Sequence, residues 1–562
     1  MNSAPNVAVE GRDEQWQPSL ETGKEVDTIK KQRIKPGNTK SAKRTLKTVA
    51  QGYGDAGAST TKRSLKGFNP TSGSAIRDID DNNYQMRQRA RMLYMSSPLA
   101  TSAIRTNRTN VVGKGLVPQP SIDAEFLGMT AEQAKEWQDR AYREFHIWAN
   151  NKRNCDATGV NNFYGLQQLA LMSWLMSGDV FGIIKHSKSD QKLAPYGLRI
   201  HLIEADRIAT PSSVHVPNMT ITTAKLDSGN YIHDGVEVDK NGAIVAYHVR
   251  NTYPQEWTGD TTEFVRVQAY GKRTGLPNIL HIMDSERPEQ YRGVSYLAQV
   301  IEPLLQIRRY SESELVAAVI ESFFTAFIKT QSDLTDMPYA EMKPEDDQEV
   351  SVDPNEYEMG PGQINVMAPG EDIVFGDPKR PSSGFSAFVE SMAEQIGAAL
   401  EIPRDLLMKS FDSSYSASRA ALMEAWKAFQ MRRVWFVDDF CAPIWELWLS
   451  EAVALGRINA PGFFTDPAIH QAYLGCNWIG PSQGQLDPTK EINAEIMAIE
   501  QGLTTRRDAA IRLNGSDWDN NLKQVAYENE RMSEIPQASA LVSTFKGSNP
   551  EKSNPTEETN GN

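Results

Sequence analysis

The stretch SYLAQVIEPLLQIRRYSESELVAAVIESFFTAFIKT, from Ser295 to Thr330, sets the scale of the fold. It reads as one helix of about 35 residues, about 50 Å long at 1.5 Å per residue, well beyond an average globular helix. Small residues recur along it at Ser311, Ser313, Ala317, Ala318, Ser322 and Ala326, which lets a neighbouring helix approach closely. Pro303 sits inside and is the place to expect a kink. The longest apolar run, Leu315 to Ile328, lies in the same stretch. It is short of the ~20 residues a bilayer needs and contains Glu321, so we read no membrane span.

Downstream the charge inverts. Residues 331–360 hold ten acids and a single Lys343, interrupted by Pro338, Pro344 and Pro354. Gln363–Met367 and Asp372–Phe375 are short and strand-like, which makes this segment a small acidic α/β insert. A second helix is predicted from Phe385 to Leu400, with Phe385, Phe388, Val389, Met392, Ile396 and Leu400 on one face, and Pro403 stops it. The polar loop Lys409–Ser416 follows. A third helix starts in its serine-rich cap and runs to about Leu455 on a stripe that includes Trp426, Phe429, Phe436, Phe440 and Trp448. Asp487-Pro-Thr-Lys-Glu491 opens another helix, and Thr505 caps the next. After about Glu534 the composition is that of a disordered tail.

Upstream, residues 1 to about 70 read as a flexible arm, with eight Lys or Arg and no acid between Lys30 and Lys47. This is either a solvated tail or an arm that touches nucleic acid or an acidic partner. Order is expected from about Asn82. From there to Ile122 the chain has no acid but carries Arg87, Arg89, Arg91, Arg105, Arg108 and Lys114, on two helical pieces broken at Ser97-Pro98. Helices follow at Thr130–Trp148, capped by Thr130, and at 163–176. Between Val180 and Met283 the apolar period falls to two, and Asp239-Lys-Asn-Gly242 marks a hairpin turn, so this part is β-rich.

The chain has 562 residues, a length that predicts roughly three to four domains at ~150 residues each. Net charge is −13, which argues against a simple non-specific DNA clamp but not against a protein that surrounds DNA without holding it. Cys155, Cys441 and Cys476 are far apart and form no CxxC pair, which points away from a disulfide framework and from a cysteine-ligated zinc site, and toward a reducing compartment. The polar N-terminus does not read as a signal peptide. Val112-Gly-Lys-Gly115 and Gly271-Lys-Arg-Thr274 lack the spacing of a phosphate-binding loop. Gly480-Pro-Ser-Gln-Gly484 fits GxSxG, but the last histidine, His470, precedes it, against the order a nucleophile elbow needs. Asp78, Asp80 and Asp81 lack the turn glycine and closing glutamate of a calcium loop. His281 reads as structural. No nucleophile, base and oxyanion site assemble, so we expect no enzyme, no metal and no cofactor.

Two long helices around an acidic insert, then a polar loop and an aromatic helix, resemble bacteriophage portal proteins of the lambda type over residues 84–530. The matching blocks are Arg87–Tyr94 with Asn110-Val-Val-Gly113, Glu286-Arg-Pro-Glu-Gln-Tyr-Arg-Gly-Val-Ser295, Tyr415-Ser-Ala-Ser-Arg-Ala-Ala-Leu-Met-Glu424 and Asp487–Glu491. The main departure is Ala417, where the family often has serine. The resemblance implies an α+β portal fold with a flexible basic arm at 1–70, a wing at 71–294, and stem helices at 295–330 and 383–401 around a clip at 331–382. It also implies a tunnel loop at 402–416, a long helix at 417–459, a crown at 460–534 and a tail at 535–562. It further implies a homo-oligomeric ring, usually of twelve, at one capsid vertex of the virion, assembled in the host cytoplasm, through which double-stranded DNA is packaged and ejected. The partners so implied are the terminase large subunit, head completion and connector proteins, and the major capsid and scaffold proteins, with no membrane. Lys409, Ser410, Asp412, Ser413 and Tyr415 are the expected channel residues, with Lys409 either centring the duplex or simply solvated. Glu345, Asp346, Asp347 and Glu349 of the clip either dock the motor or keep the insert soluble. Arg292, Arg308, Arg309 and Arg419 are candidates for inter-subunit or stem ion pairs, and each is also plausible as a surface arginine. The competing readings are a terminase subunit, which needs a nucleotide loop or carboxylate cluster, and a head scaffold or connector protein.

Overall fold

Helix α1 (Ala75–Ser96) begins where the Ser74 hydroxyl accepts the Arg77 N–H, seven residues before the point at which order was expected. The structure, a computed structural model, describes residues 57–59, 62–187, 194–211, 223–254, 256, 262–322, 326–330, 371–375, 384–411, 414–484 and 487–534. The chain divides into two units, residues 1–72 and 73–562. The described part of the first holds a 3-10 turn at Arg63–Leu65, and the basic run 30–47 lies outside the described residues.

In the second unit, Ser97-Pro98 ends α1 and starts α2 (Pro98–Val111), with the proline at a first-turn position where its missing N–H is not needed. Gly115 closes this segment at φ 122°, where a Cβ would meet the Tyr164 ring at 2.5 Å. After strand β1 (Val117–Pro120), α3 (Ala131–Ala149) starts with a full capping box between Thr130 and Gln133. The short α4 (Lys152–Cys155) and α5 (Phe163–Ser177) follow.

Strands β2 (Asp179–His186) and β3 (Leu198–Glu204) come next in the chain. They are followed by β4 (Thr223–Lys225), β5 (Tyr231–His233), β6 (Val236–Val238), β7 (Ile244–Arg250), β8 (Phe264–Gln268) and β9 (Ile279–Met283). They form two antiparallel sheets, β3-β2-β9 and the meander β4-β5-β6-β7-β8. β2 is buried on both faces, because Val180 joins the helical core while Phe181 packs with Val236, Tyr247 and Val249 between the sheets. The Asp239–Gly242 turn joins β6 to β7 as the sequence indicates.

The predicted helix from Ser295 to Thr330 is corrected at both ends. α6 spans Ile301–Ser322, after a 3-10 turn at Ala298–Val300, and Ala326–Thr330 is a strand, β10, paired antiparallel with β11 (Glu371–Phe375). At 22 residues α6 is about 33 Å long. Pro303 falls in its first turn, where an N–H has no intrahelical partner, so it need not kink the helix. α7 (Phe385–Ala399), α8 (Arg404–Met408) and α9 (Tyr415–Phe436) follow. A π-turn at Val437–Cys441 joins α9 to α10 (Ala442–Ala454) just before Pro443, whose ring would otherwise press on the carbonyl four residues back. The π-turn and α10 bring Phe440, Trp445 and Trp448 against Phe145 and Phe163, with ring centroids 5.0–6.0 Å apart, at the centre of the main core.

The C-terminal part comprises α11 (Pro467–Leu474), β12 (Cys476–Ile479, paired with β1), α12 (Pro488–Glu500), α13 (Arg506–Asn514) and α14 (Trp518–Glu534). Asp487 and Thr505 cap α12 and α13, as expected.

Candidate functional site: the helical stem and its loop

α6 and α7 pack side by side. Tyr310 lies on Phe385 and Phe388, with centroids 5.4 and 4.9 Å apart. Leu304 and Ile307 from α6, and Ala393, Ile396 and Leu400 near the close of α7, are buried. The outer half of α6 differs. Leu315, Val316 and Val319 are 67, 57 and 49% exposed, Ala318 is exposed beside them, and on α9 Met423, Met431 and Val434 are likewise uncovered. Leu315 and Val316 on α6, and the three on α9, are large apolar side chains left exposed among the described residues.

The end of α7 is built by a close backbone approach. The Ile402 N–H donates to the Gly397 carbonyl at 2.9 Å, and a Cβ at Gly397 would sit 2.4 Å from the Ile402 oxygen. Glu401 takes the left-handed conformation, φ 53°, that such a stop requires and that glycine usually supplies. α8 then ends on a second left-handed residue, Lys409, φ 57°, with the Ser410 N–H donating to the Asp405 carbonyl at 3.1 Å. α8 is anchored by buried Leu407, whose carbonyl accepts the Ser102 hydroxyl at 2.7 Å, and by Arg404, which reaches Glu390 and Glu394 on α7 at 3.5 and 3.6 Å.

Lys409 is exposed, Ser410 half-buried and Phe411 exposed, and the Ser414 hydroxyl accepts the Ala417 N–H to start α9. Asp412 and Ser413 lie outside the described residues, as do the side chain of Tyr415 and the insert residues Glu345, Asp346, Asp347 and Glu349.

α9 is pinned to the body by two consecutive arginines. Arg432 donates to Glu401 at 2.6 Å and to the Asn107 side-chain oxygen at 3.1 Å, and lies over the Tyr296 ring at 4.8 Å. Arg433 donates to the carbonyls of Asn110, Val111 and Pro481 at 2.8–2.9 Å. Burial pushes its guanidinium down to about 10. Pro481, from the GxSxG match, is thus a strap that anchors Arg433.

The four candidate arginines separate. Arg308 pairs with Glu312 one turn along α6 at 2.9 Å, Arg309 is exposed on the same helix, and Arg419 ties α9 to Glu491 of α12 at 3.4 Å. Arg292 is the correction. It is fully buried between the two sheets and α1, with no surface on which to meet another subunit. It donates to Asp179 at 2.6 and 3.2 Å, meets the Asp234 carboxylate at 2.7 Å, and donates to the carbonyls of Asp234, Ala205 and Ile208. Sequence reasoning missed this network. Arg87 and Arg91, from the acid-free run, join it through Asp234 and Asp206. Despite burial, Arg292 and Arg87 hold the Asp179 carboxyl well below the usual carboxylate range. Burial, then the charge of Asp234, push Asp80 up to about 7. The signal was present in the Glu286–Ser295 block. Gln290 folds that loop by accepting the N–H groups of Glu286 and Arg287, and a Cβ on Gly293 would collide with the Gly178 carbonyl.

Among the described residues no three of His, Cys, Asp and Glu converge on a metal-sized site, and no helix is long and apolar enough to cross a membrane. The portal protein of Escherichia phage N15 is 21% identical over 481 residues, covering 83% of this chain and 87% of that protein. Portal protein B of Escherichia phage lambda is 22% identical over 486 residues, with the same coverage. A probable portal protein of Halomonas phage phiHAP-1 is 23% identical over 473 residues, 83% of each chain. Among solved structures, a chain from the neck of a native GTA (gene transfer agent) particle computed with C12 symmetry aligns with 77% of this chain and 94% of its own, at 12% identity and a TM-score of 0.40. The sequence profile of the lambda family of phage portal proteins matches residues 61–433, about two thirds of the length, and the chain therefore belongs to that family.

Proposed function

We propose that copies of this chain close into a ring at one vertex of the phage head, probed by a single axial channel through which double-stranded DNA is packaged and ejected. The observation that carries the ring is the apolar face of α6 that the described residues leave exposed, Leu315 and Val316. Each such side chain gains about 1.5–3 kcal/mol when fully buried. A neighbouring subunit buries them, and repeated head-to-tail contacts of this kind close into a ring. In this reading α6 and α7 form the stem, the acidic insert between them is the clip, and the segment 402–416 lines the narrowest part of the channel. The β-rich part with α9 and α10 is the wing, and α11–α14 form the crown.

The channel supplies geometry rather than a chemical step. A polyanion slides only where it is not gripped, because every neutralised phosphate releases counterions and adds affinity. The net charge of −13 suits that requirement, and Lys409, exposed at a helix stop, centres the duplex without holding it. The acidic clip meets a basic face of the terminase motor and later of the connector proteins. Arg308, Arg309 and Arg419 act in or between stems and crown.

Native mass spectrometry with negative-stain imaging of the purified assembly tests the reading. A closed ring, twelve-fold in expectation, with a central opening is the supporting result, and a solitary globule overturns it. The same preparation is expected to show no DNA-stimulated ATP turnover.

A further inference from the structure

We propose that the Glu401–Arg432 ion pair is a positioning latch for the chain at Lys409–Phe411, and that glutamate stands at a glycine's place in the backbone for the sake of its carboxylate. Glu401 adopts φ 53°, a conformation that costs an ordinary side chain and costs glycine almost nothing. Its carboxylate reaches Arg432 at 2.6 Å. The two ends of that pair sit in different surroundings, since the Glu401 side chain is 54% exposed and that of Arg432 only 7%. Arg432 is otherwise met by the neutral Asn107 oxygen and the Tyr296 ring, and the half-buried Asp284 carboxyl feels its charge. The Tyr296 hydroxyl in turn donates to the Leu400 carbonyl, one residue before Glu401. The exit of the second stem helix is therefore clamped onto α9 and α2 by one charged contact, and α8, only five residues long, carries that fixed exit to Lys409. A plain helix stop needs no carboxylate. A joint that must hold a loop at a set height while DNA passes does.

The geometry stands apart from the channel reading, while the consequence for DNA rests on it, and the test separates the two. Glu401→Gly, Glu401→Gln and Glu401→Asp are made in the full chain and assembled. Cleavage after Lys409 by a lysine-specific protease, ring mass, melting midpoint and DNA retained in packaged heads are measured. The latch predicts that the Gly and Gln variants form rings with an unchanged midpoint but are cut at Lys409 at least tenfold faster and retain at least tenfold less DNA, with Asp restoring most of both. If Glu401→Gly is cut no faster than the wild type, the residue is a backbone stop alone and the proposal is overturned. Lost rings or a lowered midpoint in Glu401→Gln also overturn it, since the pair is then a general structural tie. Faster cutting with undiminished DNA retention upholds the latch and defeats the assignment of this loop to the channel.

Discussion

Replacing Arg292 with methionine, of similar volume and no charge, tests the buried network most directly. The substitution removes both hydrogen bonds to Asp179 and strips donors from the carbonyls of Asp234, Ala205 and Ile208. Asp179 has no exposed surface and keeps Arg87 at 3.6 Å, His281 at 3.4 Å and the Gly293 N–H at 3.3 Å. Removing one partner of a buried pair costs about 3–5 kcal/mol. The Ala205 carbonyl keeps the Ile208 N–H at 3.2 Å, and a buried carbonyl left without a donor adds about 1 kcal/mol or more, though these terms do not sum independently. The residual Arg87 contact argues for a total of about 3–5 kcal/mol, a large share of the roughly 5–15 kcal/mol that holds a domain. Because the network joins α1, β2 and the loop after β9, the loss should be local. Hydrogen exchange in β2 and β9 should lose about a hundred- to several-thousand-fold protection, at 1.4 kcal/mol per factor of ten. Asp179→Asn on the same background removes the stranded charge and should recover part of the loss. Protection within tenfold of the wild type in Arg292→Met would refute the claim that this arginine holds the sheets to α1.

The same network makes a pH prediction with the opposite sign from a salt-bridged acid. Asp80, raised to about 7, keeps in the folded state a proton that the unfolded chain releases near pH 4, so its contribution is fully present below about pH 4 and is lost as pH rises to 7. Asp80→Asn should therefore gain on the wild type by up to about 4 kcal/mol, with the gap in melting midpoint wider at pH 8 than at pH 5, and a constant gap counts against the argument. α14 is tied to α3 by Lys135–Asp519 at 2.7 Å and Lys523–Asp139 at 2.5 Å, while its Leu522 and Val525 are exposed. Partly exposed pairs are screened, so protease cutting within 515–534 should rise several-fold between about 0.05 and about 1 M salt, and salt-independent cutting would show that something apolar holds the helix. Ala318→Trp on the exposed face of α6 should prevent ring closure without lowering the melting midpoint of the protomer, and a normal ring mass would show that this face is not packed against a neighbour.

The parts of the fold that were legible share a physical cause: each is decided within four residues. The Ser97-Pro98 break, the Thr130 cap, the Asp239–Gly242 turn and the serine-rich cap before α9 are each settled by neighbouring residues and appear as read, the structure adding that Thr130 and Gln133 form a full capping box and that the serine is Ser414. The errors come where distant chain decides. Nothing between Glu321 and Thr330 breaks a helix, yet Ala326–Thr330 leaves it, because Glu371–Phe375, more than forty residues on, offers a complete antiparallel ladder. Aromatic and β-branched residues there, Phe327, Ile328 and Thr330, tolerate either state, so the partner chooses. Arg292 looked like a surface charge because its counter-ions, Asp179 and Asp234, lie 113 and 58 residues away. Lys409 was singled out for its charge, but the structure adds its left-handed backbone, which ends α8. Glu401 was invisible for the same reason, since sequence reading looks for glycine at a helix stop and finds here a residue whose fitness is set by an arginine on another helix. The order of helices that identifies the family is thus local information. The contacts of Arg292 and Glu401 are non-local, and substitutions there separate what holds the sheets from what holds the chain around Lys409.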